Sequence, residues 1–316
     1  MISLSDIRTT RERISDYTIE TPLIKNRILS EELGANLYLK LELFQETGSF
    51  KPRGAFNQIL HQMDRARDKG VVAFSGGNFA QAVAYAGGVL DLKTVIFMPT
   101  STPANYVNGT RSYGAEVRMA PDIPALIAGV EACAAEGYVA VHPFDDPYQM
   151  AGTGTIGLEI LEQAPQVTDV FVSVGGGGLI AGIISGVKAL KPEVRVWGVE
   201  TEGADSMARA LEAGKVVNTK PDSLAKTLCS PFVSETALRI CEAHLAKHIL
   251  VSDAEAIKAQ QFLLEQGKVL TELAASCTLA AARKVSHQFQ ASDHVVLVLC
   301  GGNESLENML AYRKLA

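Results

Sequence analysis

Apolar residues in this chain form short continuous runs, separated by longer stretches in which they are spaced three or four residues apart. Each short run has the length of a strand, and each spaced stretch has the period of a helix with one buried face. The pattern predicts strands near residues 36–43, 71–75, 94–98, 116–119, 137–141, 169–174, 194–200, 248–251 and 295–299. It predicts helices in stretches that include 52–63, 79–90, 148–164, 178–190, 232–246, 253–267 and 273–290.

The predicted strands alternate with helices and are apolar almost throughout. Strands of this kind are buried on both faces, which is typical of parallel sheets covered by helices on each side. The sequence therefore predicts an α/β fold with open, largely parallel sheets. Its length of 316 residues suits one large domain or two closely packed domains with a sizeable core.

Lys51 lies between a predicted strand and a predicted helix, in the run TGSFKPRGA at residues 47–55. Pro52 suits the first turn of a helix, where its missing N–H removes no hydrogen bond. A lysine is ordinarily a solvated surface charge, but this one has an aromatic residue before it and a fixed backbone after it. The position suits an amine that forms a Schiff base with a carbonyl cofactor.

Four consecutive glycines, Gly175, Gly176, Gly177 and Gly178, follow the strand predicted at 169–174 and open a helix. Glycines leave the backbone N–H groups at a helix N-terminus unobstructed, and such groups bind phosphate. Taken alone, the run is equally typical of a plain tight turn.

The glycine spacing also permits a different cofactor. Gly176-x-Gly178-x-x-Ala181 matches the dinucleotide fingerprint after a strand, and Glu200 ends the next strand, where a ribose-binding acid is expected. An NAD-dependent dehydrogenase is therefore an alternative, although it leaves the Lys51 segment unexplained. A P-loop is disfavoured because no Gly-Lys-Ser or Gly-Lys-Thr follows the glycines.

Two further loops rich in Gly and Asn end predicted strands. The loop SGGNF at residues 75–79 follows the strand near 71–75, and the loop CGGN at residues 300–303 follows the strand near 295–299. Ligands of open α/β sheets bind at such carboxyl ends of strands. The sequence thus predicts that these loops share one site with Lys51 and the glycine run.

Composition narrows the class of partner. The net charge is −6 and no basic run is present, which argues against nucleic acid as a partner. No run approaches the roughly 18 uncharged apolar residues that a membrane span needs, and the N-terminus lacks the apolar stretch of a signal peptide. The 5 cysteines are scattered without a Cys-x-x-Cys pair, which fits a reduced, cytoplasmic protein.

The four motifs together resemble those of the pyridoxal-phosphate (PLP) enzymes with the tryptophan synthase β fold. Within that class the chain is most similar to the threonine and serine dehydratases, a group that includes serine racemase. The resemblance covers almost the whole chain and rests on SFKPRGA at 49–55, SGGN at 75–78, GGGG at 175–178 and CGGN at 300–303. It implies a large PLP-binding domain of residues 1–64 plus 148–316, and a small substrate-closing domain of residues 65–147.

The resemblance implies a role for each matching residue. Lys51 would hold PLP covalently and then act as the base that removes the substrate α-proton, while Phe50 would lie against the pyridine ring. Asn78 would hydrogen-bond the ring 3-oxygen, and Cys300 would face the ring nitrogen. Gly175, Gly176, Gly177 and Gly178 would cradle the phosphate. The substrate carboxylate would bind at the loop of Ser75, Gly76, Gly77, Asn78 and Phe79.

The implied reaction is β-elimination, in which a 3-hydroxy L-amino acid loses water and ammonia and gives a 2-oxo acid. A neutral thiol at Cys300 is a weak donor, so the ring nitrogen stays largely unprotonated, which suits an elimination with a short-lived carbanion. A PLP-dependent β-replacement enzyme is the nearest alternative, but it needs a second, nucleophilic substrate. The family also implies a homo-oligomer, commonly a dimer.

Three departures from the family pattern concern the substrate. Gly76 stands where serine racemase carries a second proton donor, so we expect racemisation to be weak or absent. Phe79 replaces a histidine, and the segment at residues 225–228, AKTL, replaces an Asp-Gly loop that borders the substrate side chain. Together they suggest a substrate bulkier than threonine or serine, such as phenylserine.

A divalent cation is a further expectation from the racemase-like branch. The matching positions are Glu200, Ala204 and Ser206. Hard cations prefer carboxylate oxygens, and Ser206 supplies none, which weakens this prediction. Glu272 and Asp146 match acidic positions that lie near the cofactor in the family.

Overall fold

The computed structural model describes residues 1–315 and shows an α/β protein. Its strands are β1 (Leu23–Lys25), β2 (Asn36–Lys40), β3 (Val71–Phe74), β4 (Thr94–Pro99), β5 (Glu116–Ala120), β6 (Val139–Ala140), β7 (Asp169–Ser173), β8 (Arg195–Thr201), β9 (Lys247–Val251) and β10 (His294–Val298). All the predicted strands are present. The three-residue strand β1 was not predicted, because a segment so short shows no period.

Helices fill the segments between the strands. They are α1 (Leu4–Ile14), α2 (Arg27–Leu33), α3 (Lys51–His61), α4 (Met63–Lys69), α5 (Asn78–Val89), α6 (Ala104–Ser112), α7 (Ile123–Ala135), α8 (Pro147–Gln163), α9 (Gly178–Leu190), α10 (Ser206–Ala213), α11 (Glu235–His244), α12 (Asp253–Glu265), α13 (Leu273–Val285) and α14 (Leu306–Tyr312). None of the helices described within residues 1–315 is long and apolar enough to cross a membrane.

The strands form two sheets. A six-stranded sheet has the order β1-β2-β10-β7-β8-β9, and a four-stranded sheet has the order β5-β4-β3-β6. Every pairing is parallel except the one between β1 and β2. The predicted α/β fold with largely parallel sheets is confirmed.

The centre of the six-stranded sheet is buried on both faces. In β10, residues 295–298 are fully buried, and in β7 every residue is buried. Both α9 and α13 pack against β7. A strand covered in this way has no solvent face, which is why its sequence is a continuous apolar run and not an alternating one.

The four sequence motifs all follow the carboxyl ends of strands. The segment before Lys51 follows β2, the loop before Asn78 follows β3, the glycine run follows β7, and Cys300 follows β10. Parallel strands end at the same edge of a sheet, and contacts such as Asn78 with Glu272 and Lys51 with Phe79 bring the loops of the two sheets together in one cleft.

The strands of the four-stranded sheet all lie within residues 65–147, the range predicted for a small domain. Helix α3 packs against α5, which follows β3, and against α8, which precedes β7. The domain boundaries stay a prediction, since this helix joins both groups of elements.

A buried network of charges fixes the first turn of α3. The Arg53 guanidinium binds Glu42, with Nε 2.8 Å from Oε2, and Glu159, with Nη1 2.5 Å from Oε1. Lys40 Nζ binds the second oxygen of Glu159 at 2.5 Å. The two cations balance the two carboxylates, and the surrounding oxygens of Thr21, Thr155 and Ile19 take or give further hydrogen bonds.

Removing one member of this network leaves an uncompensated charge in the core. We expect Arg53→Ala to lower the free energy of unfolding by about 3–5 kcal/mol, because both carboxylates lose their partner. The matched control is Arg27→Ala, which breaks the exposed Arg27–Glu31 pair one turn apart on α2 and is expected to change stability by less than about 0.5 kcal/mol. Denaturant unfolding measures both, and equal effects for the two variants would contradict this account.

Candidate active site

Lys51 is the first residue of α3, and Phe50 is the N-cap residue of that helix. The Lys51 ammonium donates a hydrogen bond to the carbonyl oxygen of Pro143, at 2.8 Å. It lies 4.9 Å from the centre of the Phe50 ring and 5.5 Å from that of Phe79. The amine is therefore held among apolar rings and faces no carboxylate at salt-bridge distance within the described chain.

Burial changes the acidity of this amine. Desolvation lowers the pKa of Lys51 to about 8, against the smaller opposing influence of Cys300 and Glu272. An ordinary lysine has a pKa of about 10.4 and is almost fully protonated near neutral pH. A usable fraction of the Lys51 amine is therefore unprotonated and nucleophilic in that range.

The backbone of the glycine run is crowded in a way that only glycine permits. Gly177 has a φ of +94°, in the left-handed region, and is the N-cap of α9. A Cβ on Gly176 would lie 2.3 Å from the Phe144 ring, and one on Gly178 would lie 2.8 Å from the Phe144 carbonyl oxygen. The first N–H groups of α9 have no partner within the helix, so the turn can receive an anion.

Phe144 was missed by the sequence argument. It lies in the loop between β6 and α8, and its ring also contacts that of Phe232 at 5.7 Å between centres. Its backbone neighbour Pro143 accepts the Lys51 hydrogen bond. The only sequence signal was its place after a short strand, which is too common to be informative.

Asn78 is held in one orientation by Glu272. The Asn78 Nδ2 donates to Glu272 Oε1 at 2.8 Å, and Asn78 Oδ1 accepts from Asn303 Nδ2 at 2.8 Å. The same carboxylate accepts the Asn303 backbone N–H at 3.1 Å and the Thr227 hydroxyl at 2.7 Å. One N–H of Asn78 is left to donate to a ligand. Glu272 is 4% exposed, and burial raises its pKa while the donated hydrogen bonds oppose that rise.

Cys300 follows β10 and is buried beside Ser173, the last residue of β7. Their Sγ and Oγ atoms are 3.2 Å apart. Desolvation raises the pKa of Cys300 to about 12, so the thiol is neutral. Ser173 is the one polar residue in the run VFVSV at residues 170–174, and its contact with Cys300 on the neighbouring strand segment explains why a polar side chain is buried there.

The segment with Lys51 is joined directly to the segment with Cys300. The Phe50 N–H donates to the Cys300 carbonyl at 3.0 Å, and the Gly302 N–H donates to the Gly48 carbonyl at 2.9 Å. Gly48 has a φ of +70°, and a Cβ there would lie 2.4 Å from Asn303 Oδ1. These contacts place the amine and the thiol in the same cleft.

The loop at residues 75–79 lines the opposite side of the cleft. The Ser75 hydroxyl accepts the Gly77 N–H at 3.2 Å, and Gly77 is the N-cap residue of α5, which has no side-chain cap. A Cβ on Gly76 would lie 2.9 Å from Thr102 Oγ1. The Phe79 side chain is 2% exposed and packs in the core of the four-stranded sheet, with only its ring face toward Lys51.

The residues expected to bind a divalent cation are engaged elsewhere. Glu200 accepts the N–H groups of Met207 and Ala208 and lies 2.8 Å from His248 Nε2. The Ser206 hydroxyl donates to the Ser230 carbonyl, and Ala204 is buried beside it. Residues 1–315 contain no cluster of three or more His, Cys, Asp or Glu that could hold a metal ion. The structure thus gives the cation no ligand set.

The same contacts weigh against the dinucleotide interpretation. The Glu200 carboxylate caps the start of α10, so it is not free for a ribose.

Asp146, an acid that the family resemblance placed near the cofactor, has a structural role. Its Oδ1 accepts the N–H groups of Tyr148 and Gln149 as the N-cap of α8.

The cleft offers the two attachments that pyridoxal phosphate requires, an amine that is partly neutral and a phosphate-binding turn. The residues fit this cofactor, since the crowded glycines leave their N–H groups open and Asn78 keeps a free donor. The site thus belongs to the class of PLP-dependent enzymes. A family profile described as "Pyridoxal-phosphate dependent enzyme" matches residues 14–301, and the chain belongs to this family. The dehydrogenase alternative is wrong.

Named relatives indicate a narrower group within this family. The chain is 39% identical over 307 residues to an L-threonine ammonia-lyase of Thermotoga maritima, covering 96% of this chain and 76% of that one. It is 38% identical over 312 residues to the catabolic L-threonine dehydratase TdcB of Staphylococcus aureus, covering 97% and 90%.

Solved structures share the fold. Maize serine racemase superposes with a TM-score of 0.93 at 30% identity, covering 99% of this chain and 98% of that one. A threonine deaminase from T.th. superposes with a TM-score of 0.90 at 37% identity, covering 96% and 99%. The predicted resemblance to the dehydratase and racemase group is confirmed.

The lowered pKa of Lys51 gives a test in the cofactor-free protein. An amine reacts with acylating reagents only when unprotonated, so Lys51 should reach half of its maximal labelling rate near pH 8, about two units below an ordinary lysine. Peptide mass spectrometry after brief labelling between pH 6 and pH 11 would measure the profile. A midpoint for Lys51 near that of an ordinary lysine would contradict the desolvation argument.

Proposed function

We propose that this protein is a PLP-dependent ammonia-lyase that converts a 3-hydroxy L-amino acid to a 2-oxo acid and ammonia. The observation that carries the proposal is the pairing of a desolvated Lys51 amine with a neutral Cys300 thiol in one cleft. The relatives named as threonine ammonia-lyases and dehydratases support the same reaction.

Each residue of the cleft has a task in holding the cofactor. Lys51 would bind PLP covalently and Phe50 would pack against its ring. Asn78 would donate its free N–H to the ring 3-oxygen. The turn of Gly175, Gly176, Gly177 and Gly178 would receive the phosphate. When bound, PLP supplies a conjugated ring that accepts the electrons released by the substrate α-carbon.

Lys51 also suits the proton transfer. An amine with a pKa near 8 accepts a proton readily and is still partly free at neutral pH, which is the range an efficient general base needs. The rings of Phe50 and Phe79 lie 4.9 Å and 5.5 Å from its Nζ. Lys51 would thus hold the proton that it takes in a partly apolar environment.

The thiol of Cys300 favours elimination. Because its pKa is raised to about 12, it remains protonated and uncharged, and a thiol is a weak donor. Cys300 would therefore not maintain a strong positive charge at the ring nitrogen of the bound cofactor. A modest electron sink is sufficient when the hydroxyl on the β-carbon leaves promptly.

The start of α5 is the binding place that we assign to the substrate carboxylate. Its first N–H groups have no partner within the helix, and Gly77 provides no side-chain cap. The positive end of the helix dipole also favours an anion here. Gly76 and Asn78 would contribute backbone N–H groups and Ser75 its hydroxyl, because the Ser75 N–H donates to the Phe97 carbonyl and the Gly77 N–H to the Ser75 hydroxyl. Gly77 would leave the approach to these donors open, and the buried Phe79 side chain would line the cleft.

Finer points of the proposal concern substrate and assembly. The substitutions at Phe79 and at residues 225–228 suggest a substrate bulkier than threonine or serine, such as phenylserine. We further propose that residues 65–147 move as a small domain against the rest, and that the protein is a cytoplasmic homodimer. The proposal includes no metal ion.

A substrate panel tests the reaction. Purified holoenzyme is given L-threonine, L-serine and phenylserine, and the 2-oxo acid and ammonia are measured together with the configuration of the remaining amino acid. We expect both products in equal amounts from at least one substrate, with no D-isomer, because Gly76 supplies no second proton donor. A need for an added nucleophile, with a substituted amino acid as product, would instead indicate β-replacement.

The matched variants for this assay are Lys51→Ala and Lys258→Ala. The first removes the proposed base and cofactor anchor and should lower kcat by at least about 100-fold. The second changes an exposed lysine on α12 and should leave kcat unchanged. Equal activity of the two variants would refute the role of Lys51.

Glu272 is expected to orient Asn78 for the cofactor. Glu272→Ala frees the Asn78 amide and should weaken PLP binding roughly 10- to 100-fold, the worth of a buried hydrogen bond of about 1–3 kcal/mol. Glu272→Gln keeps an oxygen for Asn78 and an amide for the Thr227 hydroxyl, so it should bind PLP nearly as the unmodified protein does. Absorbance titration of cofactor-free protein with PLP measures both, and wild-type affinity in Glu272→Ala would contradict this role.

A further inference from the structure

Thr227 lies at the wall of the cleft, in a short 3-10 helix, Lys226–Leu228. The residue is exposed to solvent, yet its hydroxyl donates to the buried carboxylate of Glu272, with 2.7 Å between Oγ1 and Oε2. Glu272 in turn holds Asn78. Thr227 is thus the surface residue of a hydrogen-bonded chain that ends at the cofactor-binding amide.

The other atoms of Thr227 lie close to both loops that form the site. A Cβ added to Gly77, in the proposed carboxylate-binding loop, would lie 3.8 Å from the Thr227 methyl carbon. A Cβ added to Gly175, in the proposed phosphate-binding turn, would lie 3.6 Å from the Thr227 carbonyl oxygen. The space between the two loops is where the substrate side chain must lie, because its carboxylate and the cofactor phosphate bind on either side.

The hydroxyl of Thr227 fixes the position of its methyl group. A β-branched side chain has few rotamers, and a hydrogen bond to a buried carboxylate selects one of them. The methyl group is then directed to Gly77 and cannot exchange places with the hydroxyl. Because residue 77 is glycine, no Cβ occupies the space next to the Thr227 methyl group.

We propose that Thr227 is a specificity-determining residue, whose methyl group limits the size of the substrate side chain and whose hydroxyl holds that methyl group in place. This inference rests on the proposed function, since it assigns the substrate side chain to the same cleft. The group that Thr227 presents toward Gly77 is its methyl carbon, so its contact with the substrate side chain is an apolar one.

Two substitutions separate the methyl group from the hydroxyl. Thr227→Ser keeps the hydrogen bond to Glu272 and removes the methyl group. Thr227→Val keeps the methyl group and removes the hydroxyl, which leaves a buried carboxylate oxygen without its donor. Far-ultraviolet circular dichroism and thermal unfolding establish that both variants are folded.

The readout is the ratio of kcat/KM for phenylserine to kcat/KM for serine. Thr227→Ser is expected to raise this ratio about tenfold or more, the usual discrimination by one methyl-sized change in an apolar pocket. Thr227→Val is expected to lower kcat/KM for every substrate while the ratio changes little. If Thr227 had only a structural role, either substitution would lower kcat/KM for phenylserine and for serine by the same factor. An unchanged ratio in Thr227→Ser therefore overturns the proposal.

A second readout does not depend on the elimination reaction. Phenylalanine and alanine lack the leaving hydroxyl, and their binding is measured by the change in the absorbance of the bound cofactor. Thr227→Ser should improve the affinity for phenylalanine relative to alanine, and the same relative affinity as the unmodified protein would refute the assignment of Thr227. If the relative affinity shifts as expected but no 3-hydroxy amino acid is consumed, the specificity assignment stands and the proposed reaction fails.

Discussion

The position of Lys51 depends on a charge buried two residues away. Arg53 lies in the first turn of α3 and is bound by Glu42 before the helix and by Glu159 on α8. A buried guanidinium has few arrangements in which all its N–H groups are paired, so these contacts allow α3 only one starting point and one direction. Lys51, as the first residue of that helix, is carried to the edge of the six-stranded sheet with its amine turned into the cleft.

From that point the site is assembled by contacts between loops. Phe50 is tied to Cys300 through the backbone, which fixes the amine relative to the thiol. Glu272 then connects the large sheet to Asn78 at the start of α5, on the side of the small sheet. The groups that we propose to bind the cofactor are therefore held in place by contacts within the protein, and a site arranged in advance has less to reorganise during a reaction.

Local sequence signals were sufficient for nine of the ten strands, seven of the fourteen helices described within residues 1–315 and the four motifs, because burial on both faces and glycine at tight turns are visible in neighbouring residues. The contacts that complete the site are not local. Glu272 meets Asn78 across 194 positions, and Ser173 meets Cys300 across 127. Without the fold, Glu272 resembles any acid before a helix, and Ser173 resembles a minor exception in an apolar strand. The cation site was predicted by matching positions to those of a related family branch. That match could not show that the Glu200 carboxylate caps α10 in this chain.

The central claim is that Lys51 is the residue to which PLP is attached. Treating the protein with PLP and then with borohydride reduces a Schiff base to a stable amine, which retains the pyridoxyl group through digestion. Peptide mass spectrometry should find that group on the peptide containing Lys51 and on no other lysine at stoichiometric level. A pyridoxyl group at a different lysine, with Lys51 unmodified, would contradict the account.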